Sequence, residues 1–193
     1  MQNFIQQTVV LVKPDGVKRG LIGEVITRFE RAGLKIASMK MIWVDAVHVG
    51  KHYRDDDDYH RSVGEKTLEN YKKYGMDPNE SLGTDDPVEI GRIVRKMNMD
   101  SLTAGPVVAM LIEGWNAIEI VRKMVGHTFP QVANPGTIRG DLSIDSPMVA
   151  NLAKRATQNL VHASGSNKEA EWETKLWFKE KEIVSYKRLG EEE

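Results

Sequence analysis

Cysteine is absent from this 193-residue chain, and so is any run of about 18 apolar residues. The first absence excludes disulfides and thiolate metal sites and is compatible with a reducing compartment. The second argues against a transmembrane helix. The N-terminal segment MQNFIQQTVVLVKPDG has no basic start and no small-residue cleavage site, so it lacks the pattern of a signal peptide. We therefore expect a cytoplasmic protein with no membrane partner.

An excess of charge of one sign is also missing. Lysine and arginine number 27 and the acids number 28, which gives a net charge of −1. No global field attracts the chain to nucleic acid or anionic lipid, so a nucleic-acid partner is disfavoured. The phosphate-binding motif GxxxxGK[ST] is missing too, which excludes a Walker-type kinase. Anionic ligands would need a local basic site.

The apolar pattern that is present, with 40% hydrophobic residues, predicts four buried strands. Two amphipathic helices follow the first and third strands and end at Gly33 and Gly126. This order predicts an α+β fold, a ferredoxin-like βαββαβ sandwich with an antiparallel sheet and helices on one face. We expect a single domain over residues 1–193. The predicted strands are 8–12, 34–44, 105–112 and 159–162.

Two insertions interrupt that order, at about 55–103 and 145–158. The first predicts two helices, one starting at a Ser62/Glu65 capping box and stopping at Gly75, the other starting at Asp86 and Pro87. Its run of four aspartates, 55–58, could be a divalent-metal site. A solvated acidic run is favoured, because consecutive side chains diverge and no spaced ligand pattern accompanies them. The second insertion predicts one further helix.

His162 is the main candidate for chemistry, because it follows Leu160 and Val161 at the predicted end of a buried strand. Clefts form at such ends. A histidine has a nucleophilic ring nitrogen near neutral pH and can carry a phosphoryl group. Taken alone, the residue is also compatible with a structural histidine whose hydrogen bonds are made at the strand end.

Glu173 lies on the inward stripe of a helix that is predicted to start after Ser166, with Glu169 completing a capping box. A buried acid needs a partner. A ring nitrogen of His162 would be such a partner, and the carboxylate would then fix the tautomer of that ring. A structural arginine or lysine is the alternative.

Three cations occupy positions suited to an anion. Arg139 lies between two glycines in GTIRGD, Arg122 lies near a helix end a few residues before Thr128, and Lys13 comes where the first strand breaks at Pro14. Each alone is more typical of a surface charge. Their convergence on one side of the predicted sheet would make a phosphate site.

Several segments together resemble the nucleoside diphosphate kinase family. The resemblance covers about residues 6–54, 104–144 and 159–188, in the family's order. It implies the same ferredoxin-like fold and a ping-pong transfer of the γ-phosphoryl group from a nucleoside triphosphate to a nucleoside diphosphate through His162. The matching segments are TVVLVKPDGVKRGLIGEVITRFERAGLKI, HY at 52–53, GPVVAML, PGTIRGD, and NLVHAS before a helix ending in LWF.

The resemblance also implies roles for other residues. Glu173 matches the acid that orients the histidine, and Ser164 matches a serine beside it. Mg²⁺ is expected to arrive with the nucleotide rather than in a protein cage, and the chain is expected to form a hexamer or tetramer. The residues matching nucleotide contacts are Lys13 for the transferred phosphate and sugar hydroxyl, Tyr53, Arg122, Thr128 and Arg139 for the phosphates, and Asn159 for the ribose.

The chain departs from the family pattern at two places. The usual His-Gly-Ser-Asp is here His162, Ala163, Ser164 and Gly165, and Ala163 would be strained if this position needs a positive φ. The segment 55–103 replaces the region that supplies the base-stacking aromatic residue, for which Tyr59 is a weak candidate.

Two other function classes stay open beside the kinase. A nucleotide-binding regulatory protein with weak catalysis would fit the altered sequence after His162. A protein-histidine phosphocarrier would keep the histidine chemistry and pass the phosphoryl group to a protein. If base contacts are mostly stacking, the kinase should accept all common bases.

Overall fold

One antiparallel sheet carries the fold within residues 4–188, the part of the chain that the computed structural model describes. Its strands are β1 Ile5–Val12, β2 Lys35–Ile42, β3 Val107–Trp115 and β4 Val161–Ala163, in the order β2-β3-β1-β4. Residues 9–12 and 107–112 of the two central strands are continuously apolar because both faces of the sheet are covered there. Pairing of β3 with β1 continues past the apolar run to Trp115, opposite Ile5.

The helices that follow β1 and β3 pack on one face of the sheet, as the pattern predicts. Val25 and Phe29 of α2 (Ile22–Arg31) and Val121 of α7 (Ala117–Val125) are fully buried in one apolar cluster with the side chains of β1 and β3. Gly33 and Gly126, at φ of 84° and 85°, follow the two helices. The βαββαβ fold is thus confirmed. The helices in residues 4–188 are α1 Pro14–Lys18, α2 Ile22–Arg31, α3 Ala46–His52, α4 Asp57–Lys73, α5 Pro78–Leu82, α6 Pro87–Thr103, α7 Ala117–Val125, α8 Ile138–Leu142, α9 Pro147–Leu152 and α10 Asn167–Trp177.

The opposite face of the sheet is covered as well. A second apolar cluster joins Leu11 and Leu111 to Val49 of α3, Leu102 of α6 and Trp177 of α10. The first insertion therefore contributes to the core. The helix α10 lies against β1 here, and this contact places its residues beside β4.

The start of α4 differs from the predicted one. Ser62 and Glu65 lie inside the helix, which begins at Asp57 because the Asp56 carboxylate accepts the Tyr59 N–H at 2.9 Å. The end at Gly75 is as predicted, with φ of 64°. The aspartate run therefore caps a helix and makes ion pairs rather than only meeting solvent. Asp55 lies 3.2 Å from Arg95, and Asp57 lies 2.8 Å from Arg92.

The other insertion helices follow their start signals. Asp86 accepts the Glu89 N–H at 2.9 Å with Pro87 in the first turn of α6. The second insertion contains α9, capped by Ser146. The pattern did not predict α5. No helix within residues 4–188 is both long and apolar enough to cross a membrane.

Candidate active site

Residues of β1 and α1 fix the backbone just before His162. Leu160 has φ of 67°, a left-handed conformation that a leucine rarely adopts. The Lys13 N–H donates to the Leu160 carbonyl at 2.8 Å, and the Asp15 carboxylate accepts the Leu160 N–H at 2.9 Å. A side chain at Gly16 would lie 2.9 Å from that carbonyl. The turn after β1 therefore holds the strained residue in place, and with it the direction of β4.

His162 is the middle residue of β4, and its ring is bound by Glu173 of α10. The distance from His162 Nε2 to Glu173 Oε1 is 2.7 Å. Ser164 Oγ donates to the other carboxylate oxygen at 2.6 Å. Burial alone would raise the pKa of Glu173, but the charge and hydrogen bond of His162 outweigh it and hold the pKa below its usual value. An ionised carboxylate therefore faces the ring.

A second histidine packs against the first. The rings of His52 and His162 have centroids 4.6 Å apart in an edge-to-face arrangement. Burial, followed by the positive potential of His162, lowers the pKa of His52 to about 3. His52 is thus neutral, and Trp177 Nε1 lies 3.3 Å from its Nδ1. The neighbouring Tyr53 is half-buried, and burial raises the pKa of its phenol, so its hydroxyl stays a donor.

Lys13 and Asn159 form a bonded pair next to β4. The Lys13 ammonium is buried and donates to Asn159 Oδ1 at 2.8 Å. Burial lowers the pKa of Lys13, although the nearby Asp15 opposes this effect. The Asn159 amide donates in turn to the Thr128 carbonyl at 2.8 Å. Three residues predicted separately therefore form one chain of contacts.

The two arginines differ in their surroundings. Arg139 is buried, and its guanidinium donates to the carbonyls of Gly126 at 3.0 Å, Asn159 at 3.1 Å and Val161 at 2.6 Å. Burial, followed by the charge of Arg122, lowers the pKa of Arg139 to about 10. Arg122 is exposed and extends toward Gly165. Arg139 therefore holds the site together, whereas Arg122 presents its guanidinium to solvent.

The altered residues after His162 fit without backbone strain. Ala163 lies in β4 opposite Val10, and the positive φ that the sequence led us to consider occurs at Leu160 instead. The Gly165 N–H donates to Glu169 Oε2 at 2.6 Å. The Glu169 carboxylate thus binds the residue that precedes the Ser166 N-cap. Alanine at 163 is thus compatible with the local fold.

A cavity of about 430 Å³ opens beside Thr128 and Asn159. Helices α4, α6 and α9 form its walls together with the segments 127–129 and 155–157. Tyr59, the weak candidate for base stacking, does not line it, whereas Phe129 does. Both insertions therefore border the space next to the predicted sugar contact.

One group of three metal-ligating side chains occurs in residues 4–188, namely His52, His162 and Glu173, with donor atoms within 4.8 Å of one another. Two nitrogens and one oxygen do not suit Mg²⁺, which prefers oxygen ligands. This group therefore does not fit Mg²⁺.

Comparisons with known proteins connect this geometry to one family. The family model described as "Nucleoside diphosphate kinase" matches residues 6–65 and 91–183. The nucleoside diphosphate kinase of Pyrobaculum aerophilum is 48% identical over 93% of this chain and 98% of the relative. The chain belongs to the nucleoside diphosphate kinase family. It is accordingly a phosphotransferase that moves phosphoryl groups between nucleotides.

Solved structures of the family agree with the fold. An NDP kinase structure from Pyrobaculum aerophilum superposes with a TM-score of 0.91 at 46% identity and covers 94% of this chain and all of that one. A nucleoside-diphosphate kinase from Borrelia burgdorferi, a transition-state mimic with bound vanadate and ADP, gives 0.75 at 36% identity, over 96% of this chain and 94% of that one. The first of these matches spans nearly the whole length of both chains.

The structure brings the predicted residues of this family member together around β4, from elements on both faces of the sheet. The sequence did not identify three features of this site: the ring of His52 against His162, Phe129 in the cavity wall, and the hydrogen bonds that fix Leu160. The HY pair at 52–53 was noted for Tyr53 alone. A second histidine directly before a predicted site residue is the signal that could have identified His52.

Proposed function

We propose that the chain exchanges phosphoryl groups through a phosphohistidine at His162, in a ping-pong reaction between a nucleoside triphosphate and a nucleoside diphosphate. The observation that carries the proposal is the 2.7 Å contact of Glu173 with His162 Nε2. A carboxylate on this nitrogen retains the proton there and leaves the lone pair of Nδ1 for attack.

In the first half-reaction, the Nδ1 lone pair forms a bond to the γ-phosphorus. The bond from that phosphorus to the bridging β-phosphate oxygen breaks, and the nucleoside diphosphate leaves with the electron pair. The positive charge that develops on the ring is stabilised by Glu173. The second half-reaction is the reverse, with a different diphosphate attacking the phosphohistidine.

The cations around β4 would bind the phosphates. Lys13, Arg122 and Arg139 supply positive charge, which a phosphoryl transition state needs more than covalent chemistry. Tyr53 and Thr128 would add hydroxyl donors. Mg²⁺ would enter with the nucleotide and neutralise charge on its phosphates.

Asn159 would contact the ribose, because its amide already lies between Lys13 and Thr128. In this arrangement the same side chain orders the lysine and meets the sugar hydroxyl. The substrates are then nucleoside tri- and diphosphates.

Three further properties stay predictions. We propose that residues 1–193 form one domain, since α3 and α6 pack on the same sheet as the rest of the core. A homo-oligomer, tetramer or hexamer, is expected from the family. A cytoplasmic location is also expected.

A single-turnover experiment tests the proposal. The purified protein is mixed with Mg²⁺ and γ-labelled ATP, isolated, and then exposed to several nucleoside diphosphates. We expect an acid-labile label that is absent in His162→Ala and that leaves rapidly to each diphosphate. ³¹P NMR of the denatured phosphoprotein should assign the phosphate to Nδ1.

The other function classes give different results. A protein that binds ATP but never acquires label would be a nucleotide-binding regulator. A label that forms on His162 but resists free diphosphates would indicate a phosphocarrier with a protein acceptor.

A further inference from the structure

The cavity beside Asn159 continues directly from the phosphate-binding residues. Asn159 accepts a hydrogen bond from Lys13, and its backbone carbonyl accepts one from Arg139. The same residue lines the cavity. This inference rests on the proposed role of His162. If the phosphates bind Lys13 and Arg139 and the sugar binds Asn159, the base of the nucleotide extends into the cavity.

The walls of the cavity suit a neutral heteroaromatic ring. Its volume of about 430 Å³ falls in the range of small-molecule sites. Apolar surface comes from Val63, Val94, Met97 and Phe129, and no carboxylate lines it within the described residues. The Arg155 guanidinium at its edge is already paired with Asp145, at 2.6 and 3.0 Å. The cavity therefore offers apolar contacts and no carboxylate, with the Lys66 side chain as a further cation in its lining.

Asn151 is the most buried of the asparagines in the cavity wall that have no side-chain hydrogen bond within residues 4–188. It belongs to α9, lines the cavity and is only 7% exposed. Among residues 4–188, no protein group makes a hydrogen bond with its side-chain amide. The amide atoms are not fully buried, so they reach the cavity and can bond with a molecule that enters it. By contrast, the Asn70 amide in the α4 wall donates to the Lys66 carbonyl at 2.7 Å.

We propose that the Asn151 amide binds the edge of the nucleobase and makes this kinase sensitive to the base, beyond stacking. An amide carries one donor group and one acceptor side by side, and it matches bases that present an acceptor next to a donor. In adenine, the 6-amino group is the donor on either edge, and a ring nitrogen beside it is the acceptor. The second insertion thereby supplies a specificity-determining residue.

The test compares two diphosphates that differ in one group. ADP and purine riboside 5′-diphosphate, which lacks the 6-amino group, discharge the phosphorylated full-length protein, and kcat/KM is measured for each. The wild type should prefer ADP by roughly 10-fold, the effect of losing part of a bidentate contact. Asn151→Ala should reduce the preference to about 1 by weakening ADP alone.

A control variant separates the contact from a general loss of asparagine. Asn79→Ala changes an asparagine in another short helix that begins with proline, outside the cavity. It should keep the wild-type preference for ADP. A thermal unfolding curve of each variant identifies one that does not fold.

The comparison in the wild type needs no variant, so a folding defect cannot hide the result. Equal kcat/KM for the two diphosphates would overturn the base contact, as would an unchanged preference in Asn151→Ala. Failure of the proposed function looks different, because the wild type would then form no phosphohistidine at His162 and there would be nothing to discharge.

Discussion

Glu173 acts on His162 through a hydrogen bond and a charge, and one substitution separates them. Glu173→Gln keeps an oxygen that can accept from Nε2 but removes the negative charge. We expect the rate of phosphoryl transfer to fall about 10²-fold, because the charge that develops on the ring loses its partner. KM for the nucleotide should change little, since Glu173 lies behind the ring. Rapid-quench measurement of phosphohistidine formation gives the rate.

Ser164→Ala is the matched control for that experiment. It removes the 2.6 Å hydrogen bond to Glu173 Oε2 and leaves the carboxylate ionised and in contact with His162. The rate should therefore fall much less than in Glu173→Gln. Equal rates in Glu173→Gln and the wild type would contradict the electrostatic role of the acid.

The contrast between the two arginines predicts two kinds of defect. Arg122→Ala should lower kcat/KM by roughly 10²- to 10³-fold with no change in unfolding midpoint, because the side chain is exposed. Arg139→Lys should lower both kcat/KM and the unfolding midpoint. A lysine cannot donate to the carbonyls of Gly126, Asn159 and Val161 together. Steady-state kinetics and urea denaturation of both variants check this. A loss of stability in Arg122→Ala would contradict the assignment.

At the scale of elements, α4 and α6 cross through backbone contact at two glycines. A Cβ on Gly91 would lie 2.0 Å from the His60 carbonyl oxygen, and one on Gly64 would lie 1.8 Å from that of Pro87. Gly91→Ala should therefore separate the helices and destabilise the protein by about 1–3 kcal/mol. Because both helices line the cavity, KM for nucleotides should rise as well. Thermal unfolding and KM are measured together.

Gly23→Ala in α2 is the control for that change. No atom lies within 4 Å of a Cβ added there. Gly23 is exposed in the first turn of α2, so alanine there should leave the melting temperature unchanged or raise it slightly. A fall similar to that of Gly91→Ala would show that the loss is not specific to the helix crossing.

The elements also show how far sequence reasoning extends. The period of apolar residues identified α2 and α7, since Gly33 and Gly126 mark their ends clearly. The capping residues Ser62 and Glu65 predicted a start of α4 that is too late. A second capping signal, Asp56, occurs a few residues earlier, and only the folded chain shows that it accepts the Tyr59 N–H. Lys13 and Arg139 were identified as candidates, but the bonds of Arg139 to backbone carbonyls depend on contacts between distant segments. Asn151 carries no signal in sequence, since its burial follows from how α9 packs.

At the scale of the molecule, buried ionisable groups link the site to the stability of the whole fold. His52 is packed between β4 and α10, with His162 on one side and Trp177 on the other. The folded protein holds it neutral, with a pKa of about 3, whereas an unfolded chain restores the ordinary value of 6.5. Because His52 stays neutral in the folded protein, the fold is less stable in acid than it would be without this residue.

The sign follows from proton binding. Between about pH 6.5 and 3, the unfolded chain binds a proton at His52 and the folded protein does not, so stability falls as the pH is lowered through this window. The slope contributed by one such group is at most about 1.4 kcal/mol per pH unit. The lowered pKa of Glu173 adds a loss of the same sign at lower pH, as that group becomes protonated.

His52→Gln removes the titration but retains an acceptor for the indole N–H of Trp177. We expect its free energy of unfolding to depend less on pH than that of the wild type between about pH 6.5 and 4.5. Urea denaturation across this range, at fixed ionic strength, gives both curves. Parallel curves would mean that the acid sensitivity arises elsewhere, because a group that no longer titrates cannot contribute to the slope.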